Sequence, residues 1–201
     1  MENLDSRESA LGNALTYPEY LALIERLHTE EKATSFQDNA SFYKYSVLGL
    51  SRMKRIHKKM ELLPELVNAI QSIEGKQHWL IITESWCGDA SQTVPIMIRM
   101  AEENSNVQAK IVLRDSNLDY MDLYRTNGSI SIPVLVVHDE NWNELFHWGP
   151  RPAPAQQKVM EYKALPEPRP PYEELSTELQ KWYNADKGIT TQKELLSLFS
   201  K

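Results

Sequence analysis

The chain has 201 residues, with 22 Lys and Arg against 28 Asp and Glu, a formal net charge of −6 at pH 7. Its 41% hydrophobic and 25% charged residues are those of an ordinary globular protein, which excludes collagen-like repeats, low complexity and disorder, while the acidic balance argues against a general nucleic-acid binder. The densest apolar runs, at 79–82 and 132–137, are far below the ~20 residues that cross a bilayer, so no membrane partner is expected.

The stretch from Met1 to Ala10 contains Glu2, Asp5, Arg7 and Glu8 and no apolar run that a secretory signal would need. The expectation is a cytoplasmic protein with a reduced thiol. Thr16 and Glu19 have the spacing of a capping box, followed by Leu21, Leu23, Ile24 and Leu27 on an apolar helix face. From about Ala40 to Met60, Val47, Leu50, Met53, Ile56 and Met60 recur at helical steps. Arg52, Lys54, Arg55, Lys58 and Lys59 alternate with them and read as the wet side of that helix. A further helix is predicted from Pro64, with Leu66, Val67, Ile70 and Ile73 buried and Gly75 as its C-terminal cap.

His78–Thr83 and Gln108–Arg114 read as strands around a helix carrying Ile96, Met97, Met100 and Ala101, a unit that implies parallel pairing and a right-handed crossover. Leu118–Arg125 makes a short helix, and Pro133–His138 with Asn143–Trp148 an antiparallel hairpin. Ala155–Ala164 returns to helix. Four prolines in 165–171 exclude helix and predict an extended linker. Two helices follow, around Tyr172–Tyr183 and Thr191–Phe199, the second opened by a Thr191/Glu194 capping box. Their apolar residues predict a tail docked on the middle of the chain. The expected organisation is a helical N-terminal extension over 1–75, a core over 76–164, and a linker with docked tail over 165–201.

The sharpest local signal is Glu84-Ser85-Trp86-Cys87-Gly88-Asp89-Ala90, between a predicted strand and a predicted helix. A thiol there faces the unpaired N–H groups and positive dipole end of the helix, which favour thiolate. Asp89 acts the other way: a carboxylate ~7 Å away at an effective dielectric of ~40 raises a thiol by about one unit. The two nearly cancel, which leaves open whether Cys87 is more acidic than the free value of ~8.5.

These residues resemble the thioredoxin-like superfamily, where Trp-Cys-Gly-Pro-Cys occupies the same junction. Pro95 matches the proline in the helix after the active site, and Asp115, before the short helix, falls in register. Ile132-Pro133 resembles the Ile-Pro whose peptide bond is cis and faces the redox cysteine. Gly149 looks like the glycine that lets the loop after the hairpin approach the site. The Trp-Cys-Gly-Asp-Ala form and the Trp-Tyr-Asn-Ala-Asp-Lys-Gly tail look like a divergent bacterial group. The resemblance covers roughly 78–164 and implies an α/β thioredoxin-like fold: a mixed sheet of about four strands flanked by helices, with helical N- and C-terminal extensions.

The departures are informative. Ala90 stands where thioredoxins carry the resolving cysteine, and Ile81 where they carry a buried Asp that serves it. Exchange through Cys87 therefore needs an outside thiol. Cys87 is the expected nucleophile, and Ile132 and Pro133 orient an extended substrate backbone. Trp86, with Gly88 and Asp89, shapes the groove, and Trp148 could form another wall. Arg151, after Gly149, could hold a glutathione carboxylate or offset Asp89. The implied partners are a disulfide-bearing protein or glutathione. The alternative is a non-enzymatic module that keeps the groove for binding or redox sensing. The five histidines show no zinc-ligand spacing and no phosphate loop is present, so neither metal nor cofactor is expected.

Overall fold

The structure, a computed structural model, describes residues 2–37 and 40–199. Four helices come first: α1 (Glu2–Gly12), α2 (Tyr17–His28), α3 (Ala40–Lys59) and α4 (Pro64–Gln71). The sheet region follows as β1 (Gln77–Thr83), α5 (Ala90–Ala101), β2 (Val107–Leu113), α6 (Leu118–Asp122), β3 (Val134–His138) and β4 (Glu144–Trp148). The chain ends with α7 (Ala153–Ala164), α8 (Tyr172–Asp186) and α9 (Ile189–Phe199).

The four strands form one mixed sheet in the order β2-β1-β3-β4, with β1 parallel to β2 and antiparallel to β3, and β3 antiparallel to β4. Trp79 through Thr83 and all of β3 are buried. Successive strand residues point to opposite faces, so such runs require cover on both sides. The outer edge of β2 is blunted by Leu15, which exchanges both backbone hydrogen bonds with Ile111 at 2.8 and 2.7 Å. In α2 the predicted capping box is formed: Glu19 N–H donates to Thr16 Oγ1 at 3.4 Å and Thr16 N–H to the Glu19 carboxylate at 2.7 Å. Tyr17, Tyr20 and Ile24 form its buried stripe.

Several local expectations give way. Helix α1 has no apolar stripe to mark it as a separate element within the expected helical extension; it is held by buried Ala10 and by Arg7, whose Nη1 donates to the Trp142 carbonyl at 2.7 Å. On α3 the fully buried residues are Ser46, Gly49 and Met53, while Val47 is exposed. The reason is close approach: a Cβ on Gly49 would stand 2.9 Å from the Ser85 carbonyl oxygen, so small residues mark the contact. Helix α4 closes at Ser72 rather than Gly75. The Asn104 side chain donates to the Ile70 and Ile73 carbonyls at 2.8 and 2.9 Å, satisfying groups that a glycine cap would otherwise serve.

Thr191 does not open α9; it lies inside the helix, buried. Asp186 takes the capping role, accepting from the Thr190 backbone N–H and hydroxyl. Glu194 instead reaches the Trp148 indole and the Ala153 N–H, at 2.9 and 2.8 Å.

The tail is docked. Helices α7 and α8 share a small core of Ala155, Val159, Leu175, Leu179 and Tyr183. Helix α9 packs on α4, and its Leu195 joins the main core. Among the described residues no helix is long and apolar enough to cross a membrane.

Candidate functional site

The loop from Glu84 to Asp89 leaves the end of β1, where the Cys87 N–H donates to the Glu84 carbonyl at 3.2 Å, and enters α5 as Ser91 N–H donates to the Cys87 carbonyl at 3.1 Å. The thiol donates to the Ile132 carbonyl at 3.3 Å, and the Ala90 N–H donates to Sγ at 3.4 Å. The Ile132–Pro133 peptide bond is cis. Gly149, at φ +141°, lies against the same turn, and a Cβ there would come within 2.3 Å of the Pro133 carbonyl oxygen. Glycine is the residue that tolerates both that dihedral and that approach.

The sulfur is not openly presented to solvent: Cys87 is 8% exposed. Burial pushes the thiol up to about 12, with Asp89 adding to the rise and the Ala90 N–H and Arg151 opposing it. A nearby carboxylate and a helix end nearly balance, and desolvation, the largest influence on a buried acid, decides the direction.

The cover is supplied by α8 and α3. Tyr183 donates its hydroxyl to Asp89 Oδ1 at 2.8 Å, and the Gln180 side chain donates to the Gly88 carbonyl at 3.3 Å and accepts from Gln92 at 2.8 Å. The Asp89 carboxylate makes no cap bond to its own helix. It is held by Arg151, whose Nε and Nη2 donate to Oδ2 at 2.9 and 2.8 Å, in a pair whose side chains are about nine-tenths buried. Arg151 therefore offsets Asp89, and its Nη1 donates to the Gln156 side chain at 2.7 Å.

Trp86 lies parallel to Phe42 of α3, ring centroids 4.4 Å apart, with the Arg114 guanidinium 4.9 Å from its ring. Trp148 is not a wall of this site; its indole is turned to Glu194. Beneath the loop is a buried acid that the sequence reading passed over. Glu84 accepts from the Thr34 hydroxyl and from the Asp115 N–H at 2.9 Å, and burial raises its carboxyl to about 8. Its place directly after an apolar strand was the available signal, since an acid there lies at the buried end of the sheet.

A cavity of about 840 Å³ opens on Cys87. Its core side is Trp86 to Asp89, Ile130 to Ile132 and Arg151, and its outer side is α3 and α8. Arg52, expected on the solvent face of α3, lines it; Arg55 and Lys59 line a second cavity of about 550 Å³ toward Lys187 and Gly188. Trp86, Cys87, Gly88, Asp89, Ile132 and Arg151 thus meet at one cavity, while Pro133 and Gly149 form the turn behind it. Among the described residues no group of three or more His, Cys, Asp or Glu is arranged to hold a metal ion.

Two solved structures share this fold: a protein of unknown function, PA1234, from Pseudomonas aeruginosa (TM-score 0.60, 15% identity, 94% of this chain and 93% of that one covered), and an HIV epitope-scaffold (TM-score 0.58, 15% identity, 94% of each chain covered). No curated protein matches the chain. The family model described as Thioredoxin matches residues 34–164, from the threonine that bonds Glu84 to the end of α7. That span is more than half of the sequence and contains Cys87, Pro133 and Gly149, and the chain belongs to the thioredoxin family.

Proposed function

We propose that the protein takes part in thiol–disulfide exchange through Cys87 alone, with an outside thiol completing each turnover. The observation that supports this best is the sulfur's position, 3.3 Å from the Ile132 carbonyl and bordering the cavity. Cys87 gives up its proton to solvent, and its sulfur attacks one sulfur of a disulfide, forming a mixed disulfide as the other half leaves as thiolate. A thiol from glutathione or a partner protein then attacks that mixed disulfide, freeing Cys87 and ending in a new disulfide of its own. Ala90 supplies no second sulfur, so no step closes within the chain. Ile132 offers its backbone to the substrate, Trp86, Gly88 and Asp89 shape the entrance, Arg151 keeps Asp89 neutralised, and Pro133 and Gly149 hold the turn. This chemistry suits a reducing, cytoplasmic compartment.

At a pKa of about 12 only about one Cys87 in 10⁵ is thiolate at pH 7. That favours a second reading, a binding or redox-sensing module in which the cavity matters more than turnover. Incubation with oxidised glutathione separates them. The exchange reading expects one glutathione adduct at Cys87 by mass spectrometry and loss of glutathione-coupled disulfide reduction in Cys87→Ser. Absence of an adduct, with the coupled activity unchanged in that variant, leaves the binding reading.

A further inference from the structure

The cavity beside Cys87 has a charge pattern that the exchange chemistry does not use. Three of its four cations are neutralised: Arg151 by Asp89, Arg114 by Asp115, and Lys181 by Glu178. The fourth, Arg52, makes no hydrogen bond or ion pair with any described residue. It is half-buried, and both desolvation and neighbouring Arg55 act against its charge. An unpaired, partly desolvated guanidinium facing a cavity gains from a carboxylate that can accept its parallel N–H donors.

The α3 wall beside Arg52 is mostly apolar, while the α8 side is largely polar, with Glu173, Ser176, Thr177, Gln180, Lys181 and Asn184. Phe42, Tyr45, Leu48 and Arg52 succeed one another at steps of three, three and four along α3, which places them on one helix face. Leu48 is 52% exposed, and Tyr172 and Leu179 of α8 line the same cavity. The volume of about 840 Å³ falls in the range of small-ligand sites, which are mostly apolar with a few placed polar groups. Glu173 also lines it, with Asp89 already matched by Arg151, so a singly charged ligand is favoured over a dianion.

We propose that this cavity is a binding site for a small amphipathic monocarboxylate, an aromatic or aliphatic body with one acid group, anchored by Arg52 and lying between α3 and α8. The site stands whether or not Cys87 exchanges disulfides.

The test uses the full-length protein, 2-naphthoate and its neutral counterpart 2-naphthamide, titrated by ligand fluorescence. Saturable binding is expected, at least tenfold tighter for the acid. Arg52→Gln removes that preference, Arg52→Lys retains part of it, and Arg55→Gln, on the neighbouring cavity, keeps it. Bound 2-naphthoate also slows iodoacetamide alkylation of Cys87. Equal affinity for acid and amide, a preference that survives Arg52→Gln, or no saturable binding overturns the proposal. Tighter binding of 2-naphthyl phosphate than of 2-naphthoate does so too, by assigning the site to dianions. Because the titration needs no thiol chemistry, a protein that binds 2-naphthoate but forms no glutathione adduct would keep this site and lose the exchange reading.

Discussion

The two sides of the cavity are built differently. On the core side, Cys87 and the 130–133 segment are fixed by the ends of β1 and β3, by main-chain hydrogen bonds and by the close passage of Gly149 over Pro133. On the outer side, α3 and α8 are held by side chains: Tyr183 and Gln180 on the Asp89 loop, Phe42 on Trp86, and the bare backbone of Gly49 beside Ser85. The core determines where the sulfur sits, and the added helices determine how much water and charge it meets.

The core side breaks hardest. Gly149→Ala combines a 2.3 Å approach with an unfavourable dihedral and is expected to cost about 3 kcal/mol or more, lowering Tm by roughly 10 °C in a thermal melt. A change under about 1 kcal/mol would show that the turn yields easily and that the core side is no more rigid than the shell.

The seam between the sides is Asp89. Asp89→Asn leaves Arg151 buried without its counter-charge, an expected loss of about 3 kcal/mol by denaturant unfolding. The same change removes a charge that raises the Cys87 thiol while keeping one that lowers it, so alkylation of Cys87 by iodoacetamide at pH 7 should speed up by about tenfold. Unchanged reactivity would mean that the shell acts by exclusion alone.

Glu84 sharpens the comparison through pH. Its carboxyl is raised to about 8 in the folded protein, against about 4.3 in an unfolded chain. Between those values the folded state holds the extra proton, so stability falls as pH rises from about 5 to 8, by on the order of 3 kcal/mol. Glu84→Gln should flatten that slope in unfolding experiments run across the range; a slope that persists would assign it to other groups. Further loss is expected above about pH 9, where an unfolded Cys87 ionises and the buried one does not.

The smallest effect belongs to a residue remote from both sides. Thr16→Ala removes the α2 cap and should cost about 1 kcal/mol, with no change in Cys87 alkylation. A change in alkylation would show that the N-terminal helices influence the site beyond their own packing.

The same division explains what was legible in the sequence. Strands buried on both faces announce themselves as apolar runs, as in Trp79–Ile82, and a capping box such as Thr16/Glu19 is a local pattern. The junction motif at Cys87, with Pro133 and Gly149, carried the family. Contacts made across long separations left no such trace. Nothing near Gln180 or Tyr183 in the chain indicates that they meet Gly88 and Asp89, and Thr191/Glu194 has the spacing of a cap while Glu194 serves Trp148. Arg52 looked like a solvent residue because helical periodicity assigns faces without saying which neighbour covers each one.

The central claim is that Cys87 is a shielded thiol able to exchange with a small disulfide, and its rate of mixed-disulfide formation with oxidised glutathione from pH 7 to 10 tests it most directly. The predicted result is an adduct at Cys87 whose rate rises about tenfold per pH unit with no plateau in that range. An adduct absent at every pH would contradict the exchange, and a plateau near 8.5 would contradict the shielding.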